Sequence, residues 1–147
     1  MLLTPMQINP SVGERPTVLL VDDNDMVLAR AKAALSAGCV ILGTAGNGPA
    51  ALDAAAALNP AVIVLDISMP GMNGFEVAQR LRESGSTARI VFLTVHEEEE
   101  FVLAATNAGA IGYVFKPRLA ADLPVAVHEA AAGRPFQSPP DTRAVRR

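Results

Sequence analysis

What most limits the architecture open to this chain is a rhythm of short apolar runs, each followed by a stretch with helical spacing. Val18-Leu19-Leu20-Val21 comes first; Val40-Ile41-Leu42, Ala61-Val62-Ile63-Val64-Leu65, Ile90-Val91-Phe92-Leu93 and Ile111-Gly112-Tyr113-Val114-Phe115 follow. The first is short and does not alternate with polar residues, which suits a strand buried on both faces, and the others read as further strands. Between the first two, Val27, Ala31, Ala34, Leu35 and Gly38 recur at helical spacing. After the turn Gly46-Asn47-Gly48, residues 49–58 form an Ala-rich helix candidate closed by Pro60. Further helices are expected over 75–83, 97–107 and 120–132, the first of them opened by the capping pair Asn73 and Glu76. Five βα repeats of this kind predict a doubly wound α/β fold, a parallel sheet with helices on both faces.

The rhythm occupies residues 17–133. Residues 1–16, with Pro5, Pro10, Gly13 and Pro16, read as a flexible leader. Residues 134–147, with Pro135, Pro139, Pro140 and arginines at 134, 143, 146 and 147, read as a tail or truncated linker. A chain of 147 residues, half of them hydrophobic, has enough apolar surface for one domain with a real core. The net charge of −3 lacks the basic stripe of a nucleic-acid surface, so no direct nucleic-acid binding is expected of this chain. Cys39 is the only cysteine and has no internal disulfide partner, which fits a reducing compartment. No apolar run is long enough to cross a bilayer, and the start lacks the pattern of a secretory signal. A cytoplasmic protein without membrane attachment is expected.

Polar residues punctuate the C-terminal ends of the predicted strands: Asp22-Asp23 after the first, Asp66 after the third, Thr94 after the fourth, Lys116 after the fifth. In an open α/β sheet those ends share one edge, where ligands bind. Packing gives no reason for such a repetition. Three converging carboxylates repel one another unless a cation is present. Mg²⁺, small and hard, suits a few carboxylates, a carbonyl and water, and Mn²⁺ can replace it. Beside such an ion a carboxylate can attack phosphorus, while Lys116 and Thr94 offer a charge and a hydroxyl to the phosphoryl oxygens. The Lys116–Pro117 bond can be cis at modest cost, which would turn the lysine inward.

The motifs Val-Asp-Asp at 21–23, Leu-Asp-Ile-Ser-Met-Pro-Gly-Met-Asn-Gly at 65–74, Leu-Thr at 93–94 and Gly-Ala-Ile-Gly-Tyr-Val-Phe-Lys-Pro at 109–117 resemble the receiver domain of two-component response regulators. The resemblance covers about residues 16–133. It implies a flavodoxin-like (βα)5 three-layer sandwich with a five-stranded parallel sheet, like that of the chemotaxis regulators. It implies that Asp66 is the phosphoacceptor, Asp23 a direct metal ligand, Asp22 a water-mediated one, and Ser68 a ligand through its backbone carbonyl. Thr94 and Lys116 resemble the switch hydroxyl and the phosphate-binding lysine; Tyr113 resembles the aromatic that follows the threonine and alters the helix 4–strand 5–helix 5 face. Upstream, a sensor histidine kinase or a small phosphodonor supplies the phosphoryl group. Downstream stands a protein partner or output domain, with a homodimer on phosphorylation as a further implication. Residues 129–139 resemble the end of receivers of the NarL/FixJ kind, which precede a DNA-binding domain; a stand-alone receiver and the receiver of a longer regulator both remain open.

Blander readings compete at single positions. Asp22-Asp23 could cap a helix, Thr94 could bond backbone, and Lys116 could be a solvated lysine. His96, two residues after Thr94, resembles a position that tunes dephosphorylation, with a plain surface histidine as the alternative. His128 reads as surface, Cys39 as a small buried residue, and Glu97–Glu100 as acids complementing a helix dipole. Pro124 departs from the family's helix 5 and predicts a late start or a kink. Two other functions share parts of the pattern. A phosphohydrolase of the haloacid-dehalogenase kind has an Asp nucleophile with Mg²⁺, but needs an acid where Ser68 stands. A phosphate-independent, receiver-like scaffold would not need the complete site. No glycine-rich loop of a nucleotide-binding module follows the first strand.

Overall fold

The structure, a computed structural model, describes residues 15–139. Residues 1–14 of the expected leader and 140–147 of the expected tail lie outside it. Strands β1 (Thr17–Val21), β2 (Val40–Ala45), β3 (Val62–Leu65), β4 (Arg89–Thr94) and β5 (Gly112–Phe115) alternate with helices α1 (Asp25–Leu35), α2 (Gly48–Leu58), α3 (Gly74–Glu83), α4 (Glu99–Asn107) and α5 (Leu119–Ala131). All strand pairs are parallel, and the sheet order is β2-β1-β3-β4-β5-β6, where β6 is Phe136–Gln137.

The apolar runs of β1, β3, β4 and β5 form central strands because both of their faces are covered, whereas β2 lies at the sheet edge and is only half-buried. Leu19, Val21, Ile63, Leu65, Phe92, Tyr113 and Phe115 point to one side and pack on Ala51 of α2, Val77 and Leu81 of α3 and Ala105 of α4. Val18, Leu20, Val62, Val64, Val91, Leu93 and Val114 point to the other and pack on Ala31 and Leu35 of α1 and Leu123, Ala126 and Val127 of α5. Strand alternation thus gives a three-layer sandwich, with each fully buried Val, Leu or Phe contributing about 1.5–3 kcal/mol. Helix starts follow side-chain chemistry: Asn24, Asn47 and Asn73 cap α1, α2 and α3, and Asn73 with Glu76 completes the expected capping box.

Three expectations are corrected. The sheet has six strands, not five, and the sixth lies in the stretch read as a tail. Phe136–Gln137 adds to the free edge of β5, where one-sided pairing needs no apolar run. No peptide bond among the described residues is cis; Lys116 faces inward as the first residue of a 3₁₀ turn, Lys116–Arg118, that leads into α5. Helix α5 does not start late: it runs from Leu119 to Ala131 with Pro124 inside it. The carbonyl that Pro124 leaves without a donor belongs to Ala120, an exposed residue within reach of water.

Candidate functional site

Asp22 and Asp66 meet because β1 and β3 are parallel neighbours in matched register, Val21 opposite Leu65. Each acid is the first residue past its strand and is still tied to the ladder: Asp66 N donates to Val21 O at 3.0 Å and Asp22 N to Ala45 O at 3.0 Å. The chain reverses its winding here, with β1 between β2 and β3, so a crevice opens at this edge. Capping does not account for the acidic pair. Asn24 caps α1, accepting from the amides of Met26 and Val27, while Asp22 Oδ1 accepts from Asn24 N at 2.9 Å.

Carboxylate oxygens of Asp22, Asp23 and Asp66 all lie within 4.8 Å of one another. Asp22 and Asp66 are buried and Asp23 is exposed, so the cluster opens to solvent on the Asp23 side. Lys116 reaches in from the end of β5. Its Nζ lies 2.9 Å from Asp22 Oδ2 and 3.3 Å from Asp66 Oδ2. The ammonium hydrogen-bonds Asp66 and, at the shorter distance, forms an ion pair with the buried Oδ2 of Asp22. Burial and then the neighbouring Asp22 push the Asp66 carboxyl up to about 6, against the pull of Lys116 and the Ser68 amide. Burial tends to discharge Lys116, but its bond and charge interactions with the two acids outweigh that and hold its ammonium above the ordinary lysine range. One cation facing three acids leaves negative charge uncompensated. Such a cluster of carboxylate oxygens, open to solvent on the Asp23 side, fits a small divalent cation.

The remaining expected residues line the same edge. Thr94 ends β4 fully buried, and its hydroxyl accepts from His96 N at 3.3 Å rather than bonding a carboxylate. Ser68 N donates to Asp66 Oδ1 at 3.3 Å. Tyr113 is buried, with its hydroxyl donating to His96 O at 2.8 Å. Burial and the nearby Glu98 and Glu97 push its phenol up to about 12, so it stays a donor at ordinary pH. His96 is more than a surface histidine. Its ring stacks on Phe101 at 4.1 Å and 7°, and its Nε2 lies 2.7 Å from Ser68 Oγ. It therefore joins the loop after Asp66 to the head of α4.

Comparison with known proteins follows the same lines. The sequence profile of the response regulator receiver domain matches residues 18–128. The chain belongs to the response regulator receiver family. The receiver is 41% identical over 122 residues to the nitrate/nitrite response regulator protein NarL of Escherichia coli, covering 82% of this chain and 56% of that protein. It is 38% identical over 117 residues to a positive alginate biosynthesis regulatory protein of Pseudomonas aeruginosa, covering 78% of this chain and 46% of that one. It thus spans about half the length of these relatives. Among solved structures, a LuxR-family two-component response regulator from Aurantimonas superposes with a TM-score of 0.82 at 30% identity, covering 86% of this chain and 91% of that chain. The signal receiver domain of NarL from Mycobacterium tuberculosis gives 0.78 at 32% identity, covering 82% and 99%. A NarL/FixJ-like receiver is therefore the right description.

Some residues around the receiver's site escape sequence reasoning. Gly74 has no room for a Cβ, which would collide with the carbonyl oxygen of Asp66. The spacing of Gly74 from Asp66 signals a loop but not that closeness. Asp122 and Ser138, both buried, bond each other at 2.7 Å beside β5. No motif marks them.

Proposed function

We propose that this receiver is a phosphorylation switch in which Asp66 takes a phosphoryl group from a sensor histidine kinase or a small phosphodonor. The observation that carries this reading is the uncompensated acid cluster, buried at Asp22 and Asp66 and open at Asp23, with Lys116 drawn into it and bridging Asp22 and Asp66. Asp22, Asp23, Asp66 and the Ser68 carbonyl would hold Mg²⁺, which when bound shields the acids and the incoming phosphoryl oxygens from each other.

The chain's own residues do the rest. A carboxylate oxygen of Asp66 forms the new bond to phosphorus as the donor's bond to phosphorus breaks, so the leaving group keeps that electron pair. The ammonium of Lys116, already at the mouth of the acid pair, holds a phosphoryl oxygen. Thr94 donates its hydroxyl to another. That hydroxyl now accepts from His96 N, and Tyr113 is tied to the carbonyl of the same residue. Moving Thr94 toward the phosphoryl group therefore disturbs the segment that anchors Tyr113, which alters the face made by α4, β5 and α5. The partner reading that face is a downstream protein or an output domain in a longer regulator.

The test is chemical. Phosphoramidate with Mg²⁺ should add one acid-labile, hydroxylamine-sensitive phosphoryl group by intact mass. Asp66→Asn and metal chelation should each bring the signal to background. A wild-type protein that binds Mg²⁺ but stays unmodified would overturn the reading.

A further inference from the structure

Lys116 is framed on both sides by one small polar network. The amide of Phe115, directly before it, donates to Ser138 Oγ at 3.1 Å. Ser138 Oγ in turn donates to Asp122 Oδ2 at 2.7 Å. Asp122 is gripped by Arg118, two residues after Lys116, with Nε to Oδ2 at 2.6 Å and a second bond to Oδ1 at 3.1 Å. Ser138 N also donates to Tyr113 O at 2.9 Å, extending the β5–β6 ladder by one rung. The serine is 1% exposed and the aspartate 6%. A buried carboxylate with three donors on it holds its partners in place, because any displacement leaves a charge unpaired away from water.

We propose that Ser138 and Asp122 are positioning residues for Lys116, closing a clasp that fixes the backbone before and after the lysine and so aims its ammonium at the acid cluster. This rests on the reading of Lys116 as the group that holds the phosphoryl oxygen. Neither residue reaches the reacting atoms; they act through Phe115 and Arg118. The clasp has a consequence for the chain's organisation. A site residue at the end of β5 is held by a serine past the sixth strand, so the segment that leaves the domain helps to set the geometry of the phosphoryl pocket.

The experiment uses the full chain with phosphoramidate and saturating Mg²⁺, reading the rate of phosphorylation against donor concentration. Ser138→Ala should raise the half-saturating donor concentration by roughly five- to tenfold through misplacement of the ammonium, with the maximal rate less affected. Mg²⁺ should still bind, since none of the acids that would hold it is removed. Ser138→Thr restores a hydroxyl and should bring the value back toward wild type, and the ¹³Cε shift of Lys116 should track the same order. Arg118→Ala removes a half-exposed group at the far end of the network without opening the core, and should give a smaller rise of the same kind. That variant decides the matter should Ser138→Ala fail to fold. Wild-type half-saturation and an unmoved Lys116 shift in the folded variants would overturn the clasp while leaving the switch intact. A wild-type chain that takes up no phosphoryl group would overturn the switch, and the clasp with it.

Discussion

Asp66 carries two opposed demands. As a buried acid next to Asp22 it prefers to be protonated, and as a nucleophile it must be ionised. Its carboxyl lies at about 6 in the fold against 3.8 outside it. The folded state therefore binds this proton more tightly than the unfolded chain. The stabilisation is fully present below 3.8 and is lost as pH rises through about 6. In metal-free buffer, the melting temperature of the wild type should rise as pH falls from 7.5 toward 5, a gain of about 1–2 kcal/mol. Asp66→Asn should flatten that rise, and so should saturating Mg²⁺, which neutralises the cluster without a proton. Phosphorylation at limiting Mg²⁺ should fall over the same interval, because the protonated carboxyl cannot attack. Calorimetry and initial-rate profiles in the same buffers check both. Lys116→Ala should leave Mg²⁺ binding in place but uncouple phosphorylation from any change at Tyr113, checked by comparing its ring resonances with and without donor.

At the scale of elements, the turn from β3 into α3 is set by contact distance. Gly74 N donates to Ile67 O at 2.7 Å, and an added Cβ would strike the Asp66 carbonyl and lie 2.9 Å from Ile67 Cα. Gly74→Ala should cost about 1–3 kcal/mol in urea unfolding, the range of an overpacked site, and slow phosphorylation beyond what lost stability explains. Asn73→Ala, which removes the cap beside it, should cost about 1 kcal/mol with little effect on Asp66 chemistry. These elements also divide what could be read in advance from what could not. The four central strands, β1, β3, β4 and β5, were legible because burial on both faces demands unbroken apolar runs, and Asp22, Asp66, Thr94 and Lys116 stood out as the polar residues ending them. Phe136–Gln137 was not legible, since a two-residue edge strand between prolines needs only one apolar face. The Ser68–His96 contact joins residues 28 apart, and Asp122–Ser138 joins residues 16 apart. Nothing local in either pair foretells its partner. Pro124 misled because the carbonyl it deprives of a donor belongs to Ala120, an exposed residue, which lessens the cost of an internal proline.

For the molecule as a whole, the parallel direction of β6 matters most. The chain comes up from α5 and runs alongside β5 toward the edge where Asp66 and Lys116 stand. Amide exchange should show this rung by rung. Phe136 and Ser138 amides, bonded to Ile111 O and Tyr113 O, should be protected relative to that of Gln137, which lies between them with its amide turned from β5. Equal exchange at all three would mean the edge strand is not formed in solution. The switch also comes with its own optical reporter. The sequence contains one tyrosine and no tryptophan, and that tyrosine is Tyr113, buried with its hydroxyl on the carbonyl of His96. Tyrosine emission from the unlabelled protein thus arises at a single ring, placed where the phosphoryl signal would pass, so a flow cell and a pulse of phosphodonor suffice to time the switch without a dye.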